Sequence, residues 1–265
     1  MLIHLPEKML KRVFYPLIAL LFIVFLFSTS ALFFPIALLL WLLTAPFDKN
    51  LKWLHLFTCF WASLYIWVFP PWRVSCSGKA HIDPNATYII VSNHQSMVDI
   101  LAAFTLFIHF KWVSKAELFN IPLIGWNMRL NRYVRLQRGH KDSIRKMYKA
   151  CEEHLSEGSS VYLFPEGTRS ETGKMRPFKE GAFVLAKRFG LPVLPIVING
   201  SKNAVPKNSF NFHGRSDVTL EVLEPVAPDE FADSAAMSDA VRELIRSRVV
   251  EEQAEDSAPP ALNAT

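Results

Sequence analysis

Residues 87–108, TYIIVSNHQSMVDILAAFTLFI, join a short apolar run to a longer one through a polar break. Thr87–Val91 is aromatic and β-branched and only five residues long, the signature of a buried strand. Ser92–Gln95 is polar and suits a turn, and Met97–Ile108 is long enough for a helix. A strand that feeds a helix through a short loop is the building unit of α/β sheets.

The unit repeats downstream. Ile144, Met147, Tyr148, Cys151 and Leu155 recur at helical spacing with charged residues between them, and Gly158 stands just past the end. Ser160–Phe164 (SVYLF) reads as the next strand, Gly181–Phe189 as a helix and Pro192–Ile198 (PVLPIVI) as another strand. The expected fold is therefore α/β, with a mostly parallel or mixed sheet flanked by helices. Pro192 and Pro195 cannot donate to a ladder, which places their strand near a sheet edge or makes it start late. Residues 218–222 suit a further strand and 235–249 a last helix, while the acidic, Pro- and Ala-bearing segment 251–265 suits a frayed tail.

Upstream, Val13–Leu43 carries no charged side chain and exceeds the roughly 20 residues that a membrane helix needs. Leu51–Phe69 is a second apolar run, separated from the first only by Ala45–Asn50, so the pair reads as an N-terminal two-helix membrane hairpin. The first run is too long, and too rich in Leu, Phe and Trp, for a cleaved signal peptide. Lys8, Lys11 and Arg12 before the hairpin and Arg73 and Lys79 after it put both ends on the cytoplasmic side. Two crossings or insertion into one leaflet would satisfy this, and the charges at Lys49 and Lys52 in the turn favour the second. The chain divides accordingly into a membrane segment, 1–72, a domain, 73–250, and the tail, 251–265.

Composition agrees. Of 265 residues, 51% are hydrophobic and the net charge is +5, an apolar excess over ordinary soluble domains combined with an affinity for anions. Cys59, Cys76 and Cys151 have neither zinc-site spacing nor an even count for disulfides, so they read as free thiols.

Two motifs carry chemistry. In Asn93–Asp99, NHQSMVD, a histidine on the loop before a helix can turn back toward Asp99 five positions on. Asp99 would fix the imidazole tautomer, leaving the other nitrogen of His94 to take a proton from a hydroxyl. In Phe164–Ser170, FPEGTRS, at the C-terminal end of a strand, Gly167, Thr168 and Arg169 suit an anion, while Glu166 would repel a phosphate unless it orients Arg169 or binds a hydroxyl. Lys115, Arg129, Arg132, Arg135 and Arg138 lie between the two motifs, and one or two of them could complete a phosphate site. GTRSETGK is not a P-loop, since five residues separate its glycines and Met175 stands where Ser or Thr is needed. Ser96 lacks a nucleophile elbow and Cys151 sits on an apolar helix stripe, so no covalent acyl-enzyme is expected.

These blocks resemble the 1-acyl-glycerol-3-phosphate acyltransferases and their glycerolipid acyltransferase relatives. Asn93, His94 and Asp99 match the family's NH-x4-D motif, and Glu166, Gly167, Thr168 and Arg169 its EGTR motif. Lys115 with ELFNIPLIGW, VRLQR ending in Arg138, PFKEGAFVLA and LPVLPIVI also fit, over roughly residues 75–225. The resemblance implies a His94–Asp99 catalytic dyad, with Lys115, Arg138, Glu166, Gly167, Thr168 and Arg169 around the acceptor's phosphate and glycerol. It implies acyl transfer from acyl-CoA or acyl carrier protein to the sn-2 hydroxyl of a lysophospholipid at a membrane, with no metal, no further cofactor and no nucleic-acid partner. Gln137 and Asn131 depart from the family pattern, where an acidic residue and a glycine are common. Rival acceptors are a lyso-ornithine lipid or lysophosphatidylglycerol, and the rival from another class is a non-catalytic lipid-binding scaffold.

Overall fold

The computed structural model describes residues 15–170, 174–202, 204–205 and 215–250. Lys8, Lys11 and Arg12, on which the orientation argument leans, and the tail 251–265 fall outside these residues. The described residues begin with two helices, α1 (Tyr15–Thr44) and α2 (Lys52–Val68), and continue through β1 (Trp72–Ser77), β2 (Ile89–Ser92) and α3 (Val98–Phe104). It goes on through β3 (Phe110–Lys115), α4 (Ile124–Leu130), β4 (Val134–Leu136), α5 (Lys141–Ser156), β5 (Ser160–Leu163) and α6 (Gly181–Phe189). It closes with β6 (Val193–Asn199), β7 (Ser216–Val222) and α7 (Ser234–Arg246).

The strands form one mixed sheet in the order β1-β7-β6-β2-β5-β3-β4. Strands β6, β2, β5, β3 and β4 run parallel, β7 pairs antiparallel to β6, and β1 runs parallel to β7. Successive strand residues face opposite sides, so each central strand feeds two cores. Ile90, Tyr162, Leu194 and Ile196 pack on the side of α2 and α3 with Cys59, Ala62, Ala102 and Phe104. Ile89, Val91, Val161 and Val193 pack on the other side, with Met147 and Cys151 of α5, Phe183 of α6 and Val241 of α7.

Of the two placements expected for the strand with the prolines, the late start is the one found: β6 is interior, third along the sheet, and the donor that Pro195 lacks falls where pairing with β7 has not yet begun. Regular pairing with β7 begins at Ile196↔Val222, and beyond it Val193 bridges Val226. The Pro195 carbonyl accepts the Leu223 N–H at 3.0 Å, and the missing N–H faces that same irregular side. The helix after the first motif ends at Phe104, four residues early. Thr105, Leu106 and Phe107 close it with bonds to carbonyls three residues back, and Phe107 turns left-handed at φ 55° to redirect the chain into β3.

The N-terminal helices pack on each other, and one face of α2 is also built into the domain. Its Thr58, Cys59, Ala62 and Ile66 are buried, and Cys59, Ala62 and Ile66 belong to the core on that side of the sheet. Only α1, over Pro16–Thr44, is both long and apolar enough to cross a membrane among the described residues. A polar contact joins the pair, Tyr65 OH lying 2.9 Å from Thr29 Oγ1, and within α2 the same hydroxyl accepts Trp61 Nε1–H at 2.7 Å. At the turn, Asn50 Nδ2 donates to the Glu157 carbonyl at 2.8 Å and buried Lys111 Nζ donates to the Asn50 carbonyl at 2.7 Å.

Candidate active site

Strands β2 and β5 are parallel neighbours with Val91 opposite Leu163, so the loops leaving their C-terminal ends start side by side. One loop carries NHQSMVD and the other FPEGTRS, and two motifs about seventy residues apart meet in the crevice where α/β sheets place ligands.

His94 Nδ1 lies 2.8 Å from Asp99 Oδ2. An ionised carboxylate oxygen only accepts, so Nδ1 carries the hydrogen and Nε2 is the nitrogen left for chemistry. Asp99 is fully buried at the start of α3, and its Oδ2 also accepts the backbone N–H groups of Gln95 at 2.7 Å and Ser96 at 2.8 Å. The polar break in the sequence thus becomes a tight turn wrapped around one carboxylate oxygen. Asp99 Oδ1 is buried without a hydrogen-bond partner among the described residues. Asn93 anchors the turn to β6, with Nδ2 donating to the Ile198 carbonyl at 2.7 Å and Oδ1 accepting the Ile198 N–H at 2.8 Å. The His94 ring stacks on Phe164, centroids 3.8 Å apart and planes 13° apart. Phe164 is a positioning residue that the sequence reading quotes only as the first letter of FPEGTRS, since nothing in that run says its ring would lie under the imidazole.

Glu166 is placed differently from expectation. Its carboxylate turns inward, 4% exposed, and accepts the His94 N–H on Oε1 and the Arg176 N–H on Oε2, each at 2.8 Å. Burial pushes its carboxyl up to about 7, against the pull of those two N–H groups. In this geometry it ties the two motif loops to the segment that follows rather than reaching for a glycerol hydroxyl. The Ser170 N–H donates to the His94 carbonyl at 2.9 Å and adds a second tie. Gly167 turns at φ 72°, a left-handed conformation that glycine takes without strain, and a Cβ there would meet only the mobile end of the Lys179 side chain.

Arg169 feels the Asp99 carboxylate, and Arg138 feels the charge of Arg169. Burial draws Arg169 below its ordinary value, with Asp99 opposing. Burial also draws Arg138 down, with Glu117 opposing and Arg169 adding to the fall. A guanidinium near the His94–Asp99 pair, with a second one within its electrostatic reach, suits an anion. Thr168, between Gly167 and Arg169 in the chain, is half-buried. Lys115, at the end of β3, is exposed and ion-paired to Glu117 at 3.4 Å. It stands at the rim, apart from the His94–Asp99 contact.

Beside the pair lies an apolar cavity of about 340 Å³. Met97, Val98 and Leu101 of the helix that carries Asp99 form one wall, with Phe22 of α1, Ala62 of α2 and Trp112 of β3 opposite. No periodicity in the sequence announces it, because α1, α2, α3 and α4 must first be stacked on the sheet.

The family model described as Acyltransferase matches residues 73–199. A chloroplastic 1-acyl-sn-glycerol-3-phosphate acyltransferase of Brassica napus is 36% identical over 182 residues, 68% of this chain and 52% of its own length. The 1-acyl-sn-glycerol-3-phosphate acyltransferase alpha of Mus musculus is 32% identical over 174 residues, 64% of this chain and 61% of its own. The chain spans about half the length of its plant relatives. The crystal structure of the 1-acyl-sn-glycerophosphate acyltransferase PlsC from Thermotoga maritima superposes with a TM-score of 0.70 over 88% of this chain and 95% of that one, at 24% identity. With both motifs meeting at one sheet edge and relatives at this level of identity, the chain belongs to the 1-acyl-sn-glycerol-3-phosphate acyltransferase family of glycerolipid acyltransferases.

Proposed function

We propose that this protein transfers a fatty acyl chain from a thioester, acyl-CoA or acyl carrier protein, to the sn-2 hydroxyl of 1-acyl-glycerol-3-phosphate, giving phosphatidic acid. The observation that carries the reading is the His94–Asp99 hydrogen bond, with Arg169 and Arg138 beside it, in a chain whose relatives are named for this acceptor. His94 Nε2 takes the proton of the acceptor hydroxyl while Asp99 supports the imidazolium that forms. The hydroxyl oxygen bonds to the thioester carbonyl carbon, and the carbon–sulfur bond breaks as the tetrahedral adduct collapses. The thiolate leaves with the proton returned by His94, and no acyl-enzyme intervenes.

The acceptor's phosphate rests on Arg169 and Arg138, with Lys115 at the rim. The apolar cavity takes an acyl chain, since its lining offers almost nothing but carbon and ring faces. Helix α1 supports insertion into one leaflet. It packs along the domain, through Phe22 on Phe69 and Trp72 and Phe34 on Trp126, while Leu17, Leu20, Leu21, Leu32 and Leu39 point outward. The lysolipid enters from that leaflet and the thioester from the cytoplasmic side.

The test is transfer of labelled palmitate from palmitoyl-CoA, and separately from palmitoyl–carrier protein, to 1-acyl-glycerol-3-phosphate by detergent-purified protein beside a folded His94→Ala variant. Phosphatidic acid from wild type alone is the expected result. Product from His94→Ala would sink the mechanism, and acylation of another lysolipid only would change the acceptor.

A further inference from the structure

Near-parallel ring pairs elsewhere in the protein sit well apart. Trp67 and Phe107, with planes 11° apart, and Phe178 and Phe183, with planes 16° apart, each keep 6.2 Å between ring centroids. Neutral rings prefer such offset arrangements, with centroids roughly 4.5–7 Å apart, because both faces are electron-rich. His94 and Phe164 break that pattern. Their centroids are 3.8 Å apart with planes at 13°, a separation equal to one carbon contact of roughly 3.5–4.0 Å, so the imidazole lies almost centred over the phenyl face. A cation over an aromatic ring adopts this arrangement, and an imidazole that takes a proton becomes a cation.

Neighbouring rings hold the phenyl where it is. Trp112 lies 5.4 Å from Phe164 at 23°, and Tyr162 lies 5.6 Å from Phe164 and 4.1 Å from Trp112. Both backing rings are buried, and Tyr162 OH donates to Ser92 Oγ at 2.9 Å, two residues before His94. Phe164 follows β5 directly and His94 lies two residues past β2, so the stack joins the ends of two paired strands. The charged partners of His94 come from other directions. Asp99 meets Nδ1 in the plane of the ring, Glu166 takes the backbone N–H, and Arg169 feels Asp99. His94 is itself buried, so little water is at hand to solvate a charge on it, and a cation–π contact strengthens when desolvated.

We propose that the ring face of Phe164 stabilises the imidazolium that His94 becomes when it takes the acceptor's proton. This rests on the acyl-transfer reading. The proton leaves the acceptor hydroxyl for His94 Nε2 as the hydroxyl oxygen bonds to the thioester carbonyl carbon. The positive charge then sits on a ring with the Asp99 carboxylate at one edge and the phenyl face against it. When the carbon–sulfur bond breaks, the proton passes to the thiolate and the charge is gone. Phe164 contributes most while that charge exists, so it favours the chemical step over substrate binding. It acts through His94 and is a positioning residue with an electrostatic role.

The experiment replaces Phe164 with mono-, di- and trifluorinated phenylalanine, which keep the shape of the ring and withdraw the negative charge of its face step by step. Phe164→Leu and Phe164→Tyr are measured beside them. Each purified protein is assayed for palmitate transfer to 1-acyl-glycerol-3-phosphate, from whichever of palmitoyl-CoA and palmitoyl–carrier protein the wild type accepts. The single-turnover rate at saturating substrate, which reads the chemical step, should fall by a near-constant factor per fluorine and reach about 10- to 30-fold with three. The KM of both substrates and the melting temperature should hold. Phe164→Leu fills space without a π face and should lose at least as much rate, while Phe164→Tyr should keep most of it. A rate that ignores fluorination overturns the proposal, whatever Phe164→Leu loses, and leaves the ring as packing alone. So does a series that raises KM at constant rate, which would set the ring against a substrate. Wild type inert with both donors on every lysolipid is a failure of the acyl-transfer reading itself, and takes this proposal with it.

Discussion

The backbone N–H of His94 donates to Glu166 Oε1 at 2.8 Å across 72 positions of sequence, so the residue at the centre of the first motif is held by the residue at the centre of the second. The other Glu166 oxygen holds the Arg176 N–H. One buried carboxylate therefore ties both motif loops together.

Burial raises the Glu166 carboxyl from 4.5 to about 7, so folding disfavours its ionised form. Stability from this group is fully present below about pH 4.5 and is lost as pH rises through about 7, by roughly 3 kcal/mol at most. Glu166→Gln lacks the titration. Urea unfolding of both proteins between pH 4.5 and 8 should show wild type losing stability relative to the variant as pH rises. A difference that stays constant with pH would contradict the raised carboxyl. The variant should also lose at least about tenfold in kcat, because an amide presents N–H to one of the two N–H groups it must hold.

Asp99 separates support of the imidazole from support of the loop. Its Oδ2 gathers three N–H groups while Oδ1 has no hydrogen-bond partner among the described residues. Asparagine can place its oxygen on the gathered side and its NH2 on the other, keeping the tautomer and the turn but losing the charge that stabilises an imidazolium. Asp99→Asn should therefore stay folded, with kcat down by about 10²-fold. Asp99→Ala leaves buried N–H groups unpaired and should cost about 2–3 kcal/mol of stability as well. Equal melting temperatures for the two variants would overturn this division.

The apolar cavity sets a length. Ala62 of α2 is one of its smallest wall residues, and a phenyl ring there would occupy part of the roughly 340 Å³. Ala62→Phe should shift preference toward shorter acyl-CoA chains, with activity on a C10 or C12 donor kept and that on C16 reduced about tenfold or more. A uniform loss across chain lengths, with an unchanged melting temperature, would show that the cavity holds something other than the transferred chain.

The extent of sequence legibility follows from how local each relationship is. The His94–Asp99 contact spans five residues and a turn, and the motif itself announces it. Strands β2, β5 and β6 are legible because they are buried on both faces and so read as unbroken apolar runs in 89–91, 161–163 and 193–198. The Arg138–Arg169 proximity depends on the order β2-β5-β3-β4, which no local pattern encodes. Pro195 can sit inside the sheet because the pairing of its own strand with β7 starts only at Ile196, an irregularity that no local pattern announces. Strand β3, FKWVSK, was hidden by its own composition: a lysine at its second position reads as surface, yet Lys111 is 1% exposed.

That lysine gives a last measurable consequence. Lys111 Nζ donates to the Asn50 carbonyl in the helix turn at 2.7 Å and to the Asn131 carbonyl at the end of α4 at 3.0 Å, so β3, the turn and α4 share one fastening. Burial lowers its pKa from 10.5 to about 7, Arg132 adding to the fall, with Asp48 and Glu157 opposing it. For a group lowered on folding, the stability contribution is fully present above pH 10.5 and is lost as pH falls through about 7. Relative to Lys111→Met, which keeps the stem and removes the titration, wild type should gain stability between pH 7 and 10, by up to about 4 kcal/mol. The trend is opposite in sign to that of Glu166 and lies in a different pH window, so unfolding curves of the two single variants and the double variant separate them. Lys111→Met should also leave two carbonyls without their donor and loosen the turn, which faster amide exchange at Leu51 and Leu54 would report. Unchanged exchange there, with a pH-independent stability difference, would mean the fastening does not hold the helix pair to the sheet.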